Sequence, residues 1–167
     1  MVIKKLKEYL TENGVEYEEH SHDPAFSAQE VAASVHVPGK EMAKSVIVML
    51  QDELAMVVLP ANYHVDFQRL CNVMGTGNMY LATEEEFKDR FPDCELGAMP
   101  PFGNLYDMKT FVAKSLAEDE KITFNAGTHS DVVTVAYKDF ERLAQPTVLS
   151  FTDRPHPEEE SMASSSN

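Results

Sequence analysis

The sequence has no apolar run near the ~20 residues that a membrane-spanning helix needs. Its longest, Ser45–Leu50 and Leu54–Pro60, are strand-length, so no membrane partner is expected. The opening MVIKKLKEYL has neither an apolar h-region nor a small-residue cleavage site and is not expected to be a signal peptide. Cysteine is scarce: Cys71 and Cys94 form no C-x-x-C pair and no disulfide framework, which fits a cytoplasmic location. Positive charge is also short, with 14 Lys and Arg against 28 Asp and Glu and a net charge of −14. A protein that grips nucleic acid by general electrostatics is basic, because phosphate neutralisation supplies most of that affinity. Any nucleic-acid contact here must be local, brief or helped by a partner.

What is present suits one core. The chain has 167 residues, 43% of them hydrophobic. Ile3, Leu6, Tyr9 and Leu10 recur at helical spacing before an Asn13-Gly14 stop. Val15–His20 reads as a strand, and Ser27-x-x-Glu30 as a capping box for a helix through Ser34. A hairpin is expected from AKSVIVML and LAMVVLP around Gln51–Glu53. Asp66 caps a helix bearing Phe67, Leu70 and Met74, and Thr83-x-x-Glu86 caps another through Phe91. Leu105–Lys109 reads as extended and Phe111–Leu116 as helical. KITFNAG and DVVTVAY read as strands around Gly127–Ser130, and Tyr137–Ala144 as a last helix. Residues 152–167 have no apolar periodicity and are expected to be a disordered tail after a domain spanning 1–151. The fold class is α+β: a curled, barrel-like, mixed but mostly antiparallel sheet with helices around it.

Chemical signals are sparse. No G-x-S-x-G elbow, H-E-x-x-H or paired-cysteine motif occurs. His20, His22, Asp23, His64, Asp66, Cys71 and His129 could join in a metal site, but solvated polar ends explain them better. Cys71 reads as a small buried thiol in a helix. Lys44 begins an apolar strand, either facing solvent or offering a cation to an anionic or hydroxyl-rich ligand. GAMPPFGN, residues 97–104, is the oddest stretch. Pro100 and Pro101 fix φ at two consecutive residues, and Gly97 and Gly103 allow close backbone approach. The stretch is either a plain surface loop or a stiff turn that aims its remaining N–H groups at a carbonyl. A hinge is excluded, because neither flank has strands enough for its own core. Gly127-Thr128-His129 could set an imidazole over a pocket or be a structural turn.

In order along the chain, AKSVIVML, GAMPPFG and FNAGTH (Phe124–His129) form a set that resembles the YbaK-like family. These are free-standing aminoacyl-tRNA deacylases related to the editing domain of bacterial prolyl-tRNA synthetases. The similarity runs from about Lys4 to Phe151. It implies hydrolysis of the ester of a mischarged tRNA, with alanine on tRNA(Pro) the expected kind of substrate. It also implies Lys44 holding the terminal nucleotide, and the loop Gly97, Ala98, Met99, Pro100 and Pro101 orienting carbonyl and water through its backbone. Phe102, Gly103, Gly127, Thr128 and His129 then complete the substrate pocket. No metal or cofactor is expected. The partners implied are a tRNA acceptor end with its amino acid and an aminoacyl-tRNA synthetase. Lys40, Lys44, Arg69, Lys109 and Lys114 are candidates for a local positive rim. A catalytically silent aminoacyl- or nucleotide-binding module is the alternative reading.

Overall fold

The structure is a computed structural model that describes residues 2–25 and 27–153. Its elements run α1 (Lys4–Glu12), β1 (Glu18–Ser21), α2 (Ala28–Ser34), β2 (Met42–Leu50), β3 (Glu53–Pro60), β4 (His64–Val65) and α3 (Phe67–Met74). Then follow β5 (Met79–Leu81), α4 (Glu84–Phe87), β6 (Lys109–Ala113), α5 (Lys114–Ala117), β7 (Lys121–Asn125), β8 (Asp131–Ala136), α6 (Tyr137–Ala144), β9 (Thr147–Leu149) and β10 (Thr152–Asp153). Two 3-10 turns, Lys88–Arg90 and Gly103–Tyr106, lie between α4 and β6.

Local chemistry sets the boundaries. Asp66 Oδ1 accepts the Arg69 N–H at 3.0 Å to open α3, and Gly75 closes it in the left-handed region. Thr83 and Glu86 form a reciprocal capping box on α4. Gln51 and Asp52 both have positive φ, the backbone that a two-residue hairpin between right-twisted strands requires. They hold β2 and β3 in register from Ala43 opposite Pro60 to Leu50 opposite Glu53.

The main sheet is mixed and open, in the order β1-β8-β7-β2-β3-β6-β9, with β5 also paired to β2. Antiparallel ladders join β1 to β8, β7 to β8, and β2 to both β3 and β5. Parallel ladders join β2 to β7, β3 to β6 and β6 to β9. The sheet does not close into a barrel; β1 and β9 are its ends. Among the described residues no helix is long and apolar enough to cross a membrane.

Two expected elements differ. Phe111 and Val112 belong to strand β6, and only Lys114–Ala117 is helical. A short unbroken apolar run does not reveal its period, and β6 is flanked by β3 and β9 and buried from Thr110 to Ala113. Leu105 and Tyr106 lie in a 3-10 turn rather than extended chain, which Asp107 ends at φ 57°. Of the expected tail, Thr152–Asp153 pairs with His64–Val65, and residues 154–167 lie outside the described residues.

The main core gathers α1, α6 and the aromatics beneath the Gly97 loop. Phe102 is fully buried, with edge-on contacts to Tyr9, Phe124 and Phe140 at ring separations of 5.9, 5.6 and 5.5 Å. The loop is thus anchored to the core at its downstream end. Phe102→Ala is expected to cost about 3–5 kcal/mol, read as a fall in the urea midpoint.

A candidate site between Lys44 and the Gly97 loop

The 97–104 stretch is exposed only at its two ends, Gly97 and Asn104; Ala98 through Gly103 are all buried. Gly97 has φ +89°, a conformation that favours glycine, and its N–H points at Met99 Sδ at 3.2 Å. The Ala98 N–H is taken by the Glu95 carbonyl at 3.1 Å. Pro100 and Pro101 have no N–H to offer. The Met99 N–H is therefore the donor left open, with no hydrogen-bond partner among the described residues. The Gly97 N–H is held only by a thioether, a weak acceptor that a ligand oxygen displaces readily.

A second loop clamps the first. The Gly127 N–H donates to the Ala98 carbonyl at 2.9 Å, and the Glu95 N–H donates to the Gly127 carbonyl at 2.8 Å. The His129 N–H donates to Glu95 Oε1 at 2.7 Å. His129 Nε2 lies 2.8 Å from the Leu96 carbonyl, and since a carbonyl only accepts, that nitrogen carries the proton. Gly127 has φ +97°, and a Cβ there would overlap Ile3 Cγ2. Thr128 Oγ1 donates to Asp131 Oδ2 at 2.6 Å, fixing the turn from the other side. Glu95 is the hub of this clamp. Glu95→Ala is expected to lower kcat of the hydrolysis proposed below about 10-fold, with Glu95→Gln, which keeps an acceptor, retaining most of it.

Lys44 lies near the start of β2, half-buried, with Nζ donating to the Ala61 carbonyl at 3.3 Å. Among the described residues no carboxylate forms an ion pair with it. Burial holds its pKa below the ordinary 10.5, because the charged form loses water. A small, partly open pocket of about 170 Å³ joins Ala28, Ala43, Lys44, Ser45, Gly97, Met99 and Asn125. Asn125 ends β7 and is buried, and its Oδ1 has no hydrogen-bond partner among the described residues. A buried acceptor without a partner costs about 1–3 kcal/mol. The cavity falls below the ~300–1,000 Å³ of drug-sized ligand sites, so it fits a small group rather than a nucleotide. A larger cleft of about 600 Å³, lined by Leu50, Arg90, Asn104, Asp107 and Lys109, touches only the far end of the AKSVIVML motif and includes neither Lys44 nor Gly97.

The structure thus brings Lys44, Gly97 and Met99 together at one cavity and packs Ala98 directly behind them. Phe102 and Gly103 sit in the core instead, the Gly103 N–H held by Thr110 Oγ1 at 3.1 Å. Gly127, Thr128 and His129 lie behind the loop as its clamp and do not line the cavity. Of the five rim cations, Lys44 alone lines it; Lys109 lines the separate cleft, and Arg69 reaches the Thr152 carbonyl. Asn125, Ser45 and Glu95 were not singled out by sequence reasoning. Asn125 had a signal, being two residues before Gly127 at the end of a strand. Cys94 sits 3.3 Å from the Tyr106 hydroxyl, and burial pushes its thiol up to about 12, which makes it a poor nucleophile.

Residues 22–143 match the model of the aminoacyl-tRNA editing domain, and the chain belongs to that family. A relative from Escherichia coli K12, the multifunctional Ser/Thr-tRNA deacylase ProXp-y, is 24% identical over 89% of this chain and 91% of its own. A proline–tRNA ligase of Bacillus cereus is 26% identical over 53% of this chain, a match spanning 16% of that longer protein. A solved structure described as a candidate trans-editing enzyme for prolyl tRNA synthetase superposes with a TM-score of 0.77. It covers 90% of this chain and 96% of its own at 17% identity, a likeness of fold.

Proposed function

We propose that this protein hydrolyses, in trans, the ester joining a small, wrongly attached amino acid to the end of a tRNA. The observation that carries the reading is the meeting of the Lys44 cation, the Gly97–Met99 backbone and a small pocket. In this reading the cavity takes the amino acid. The Lys44 ammonium, on the cavity wall, takes the terminal sugar and phosphate, where three donors suit an oxygen-rich group. The ester carbonyl sits against the Met99 N–H, joined by the Gly97 N–H once it leaves Met99 Sδ. As water attacks, charge gathers on the carbonyl oxygen, and donors already aimed there stabilise it without reorganisation. One such donor is worth about 10²–10³ in rate. An ester is activated, so positioning and these donors suffice without a side-chain nucleophile.

The family match and the deacylase relative support this chemistry, and the cavity's size supports a small substrate. Alanine on tRNA(Pro) is the smallest case, and the relative named for Ser/Thr-tRNA adds seryl and threonyl esters. The net charge of −14 fits contact with the tRNA tip alone. The test is release of labelled amino acid from tRNA(Pro) carrying alanine, serine, threonine, cysteine or proline. Faster release of at least one small non-cognate residue is expected. Release of none above the spontaneous rate contradicts the reading.

A further inference from the structure

The hydrogen bonding of β2 has a gap where the pocket lies. In a paired strand the N–H and C=O of each residue point to one side, and successive residues alternate sides. The Met42 carbonyl accepts the Ala61 N–H at 2.7 Å on the β3 side, and the Glu41 carbonyl accepts the Thr123 N–H at 2.9 Å on the β7 side. Beside β5, on that same edge, the Ile47 carbonyl accepts the Ala82 N–H at 3.0 Å. Even-numbered residues of β2 therefore face β3, and odd-numbered ones face β7 and β5. Pro60 fits this alternation, since it stands opposite Ala43 and has no N–H to give. The β7 ladder ends at Ala43 with Phe124, and the β5 ladder starts at Val48 with Leu81. Ser45 lies between the two, and its N–H and C=O have no hydrogen-bond partner among the described residues. An unpaired peptide in an inner strand is uncommon. Ser45 is half-buried and lines the pocket with Lys44, Gly97 and Met99.

We infer that the aminoacyl unit of the substrate docks on this open edge as a single strand residue, its carbonyl on the Ser45 N–H and its amino group on the Ser45 carbonyl. The inference rests on the editing reading and adds how the site holds the amino acid whatever its side chain. An amino-acid ester carries an amino group and a carbonyl on either side of its Cα, as a residue of a neighbouring strand does. Two such residues exchange both bonds, which is how an extended peptide adds to a sheet edge. No carboxylate lines the pocket, so a backbone carbonyl receives the amino group. The second lone pair of the ester carbonyl remains for the Met99 N–H. The Ser45 N–H is thus a further donor to the oxygen that gains charge as water attacks.

The experiment follows the wild type by NMR at the Ser45 and Met99 N–H groups and the Ser45 carbonyl carbon. The titrants are the 3′-alanyl and 3′-propionyl amides of 3′-amino-3′-deoxyadenosine, which resist hydrolysis; the propionyl compound lacks only the amino group. Both are expected to move the Ser45 N–H downfield together with the Met99 N–H. The alanyl amide alone should move the Ser45 carbonyl carbon downfield, and it should bind about 10-fold tighter. A Met99 N–H that moves while the Ser45 groups stay fixed, or a Ser45 carbonyl that answers both amides alike, overturns the inference and leaves the editing reading standing. If neither amide moves Gly97 or Met99, that reading falls and the inference with it. Single-turnover release is also measured for Ser45→Pro, on the aminoacyl-tRNA(Pro) that the wild type cleaves fastest. The substitution removes the N–H at a position free of ladder bonds, where a strand tolerates proline. A fall of about 100-fold is expected, and release within about threefold of wild type overturns the inference. Where Ser45→Pro fails to fold, the NMR shifts of the wild type decide.

Discussion

Gly97→Val is expected to reduce single-turnover deacylation about 100-fold or more while the protein stays folded. At φ +89° a β-branched residue is strained, and its Cβ would lie 3.4 Å from His129 Cε1. The chain relieves the strain by rotating the Gly97–Ala98 peptides. That rotation takes the Gly97 N–H from its place beside Met99 Sδ and misdirects the Met99 N–H. Loss of one preorganised donor costs about 10²–10³ in rate, which sets the expected size. Gly97 itself is exposed, so stability falls only by the ~1–3 kcal/mol typical of a strained backbone position. Circular dichroism should show a native spectrum with a melting point lowered by several degrees. Activity within threefold of wild type would mean that the loop's shape does not govern the reaction.

Lys44→Met is expected to lower kcat/KM about 10- to 100-fold. The side-chain stem is kept and a charged hydrogen-bond donor, worth about 1.5–3 kcal/mol, is removed. Lys44→Arg should rescue only partly, because a planar fork replaces a compact ammonium. The pH profile gives an independent check. Burial makes Lys44 shed its proton below the ordinary 10.5. Wild-type kcat/KM, corrected for spontaneous hydrolysis, should therefore fall as pH rises through that lowered value, and Lys44→Met should lack this limb. The linked effect on stability has the opposite sense. In the window between the folded and unfolded values the unfolded chain binds more protons. Stability from this group therefore rises with pH there. A Lys44→Met profile that keeps the alkaline limb would assign it to another group.

The elements legible in the sequence were those whose ends carry a cap or stop. Asp66 and Gly75 bound α3, Thr83 and Glu86 open α4, and the apolar spacing of Tyr137–Ala144 matches α6. β6 was not legible, since Thr110–Ala113 is buried as an interior strand and shows no alternation. The Gly103–Tyr106 turn was missed because it is fixed by tertiary contacts: Thr110 holds Gly103, and Phe102 locks into the aromatic core. At the site, Lys44 and the Gly97 loop were visible through their motifs. Their meeting across the sheet was not visible, being a consequence of the parallel β2–β7 ladder. Glu95 and Asn125 looked like ordinary polar residues. Their places come from the fold: Glu95 accepts the His129 N–H, and Asn125 lines the small pocket beside Lys44 and Gly97.

The central claim is that the aminoacyl end of the substrate lies between Lys44 and the Gly97 loop. The most direct measurement is an amide NMR titration with the hydrolysis-resistant 3′-seryl amide of 3′-amino-3′-deoxyadenosine. The largest shifts are predicted at the Gly97 and Met99 backbone N–H groups and the Asn125 side-chain amide, with the Met99 N–H moving downfield as it gains an acceptor. Shifts centred on Arg90, Asn104 and Lys109, in the separate cleft, with Gly97 and Met99 unmoved, would contradict the account.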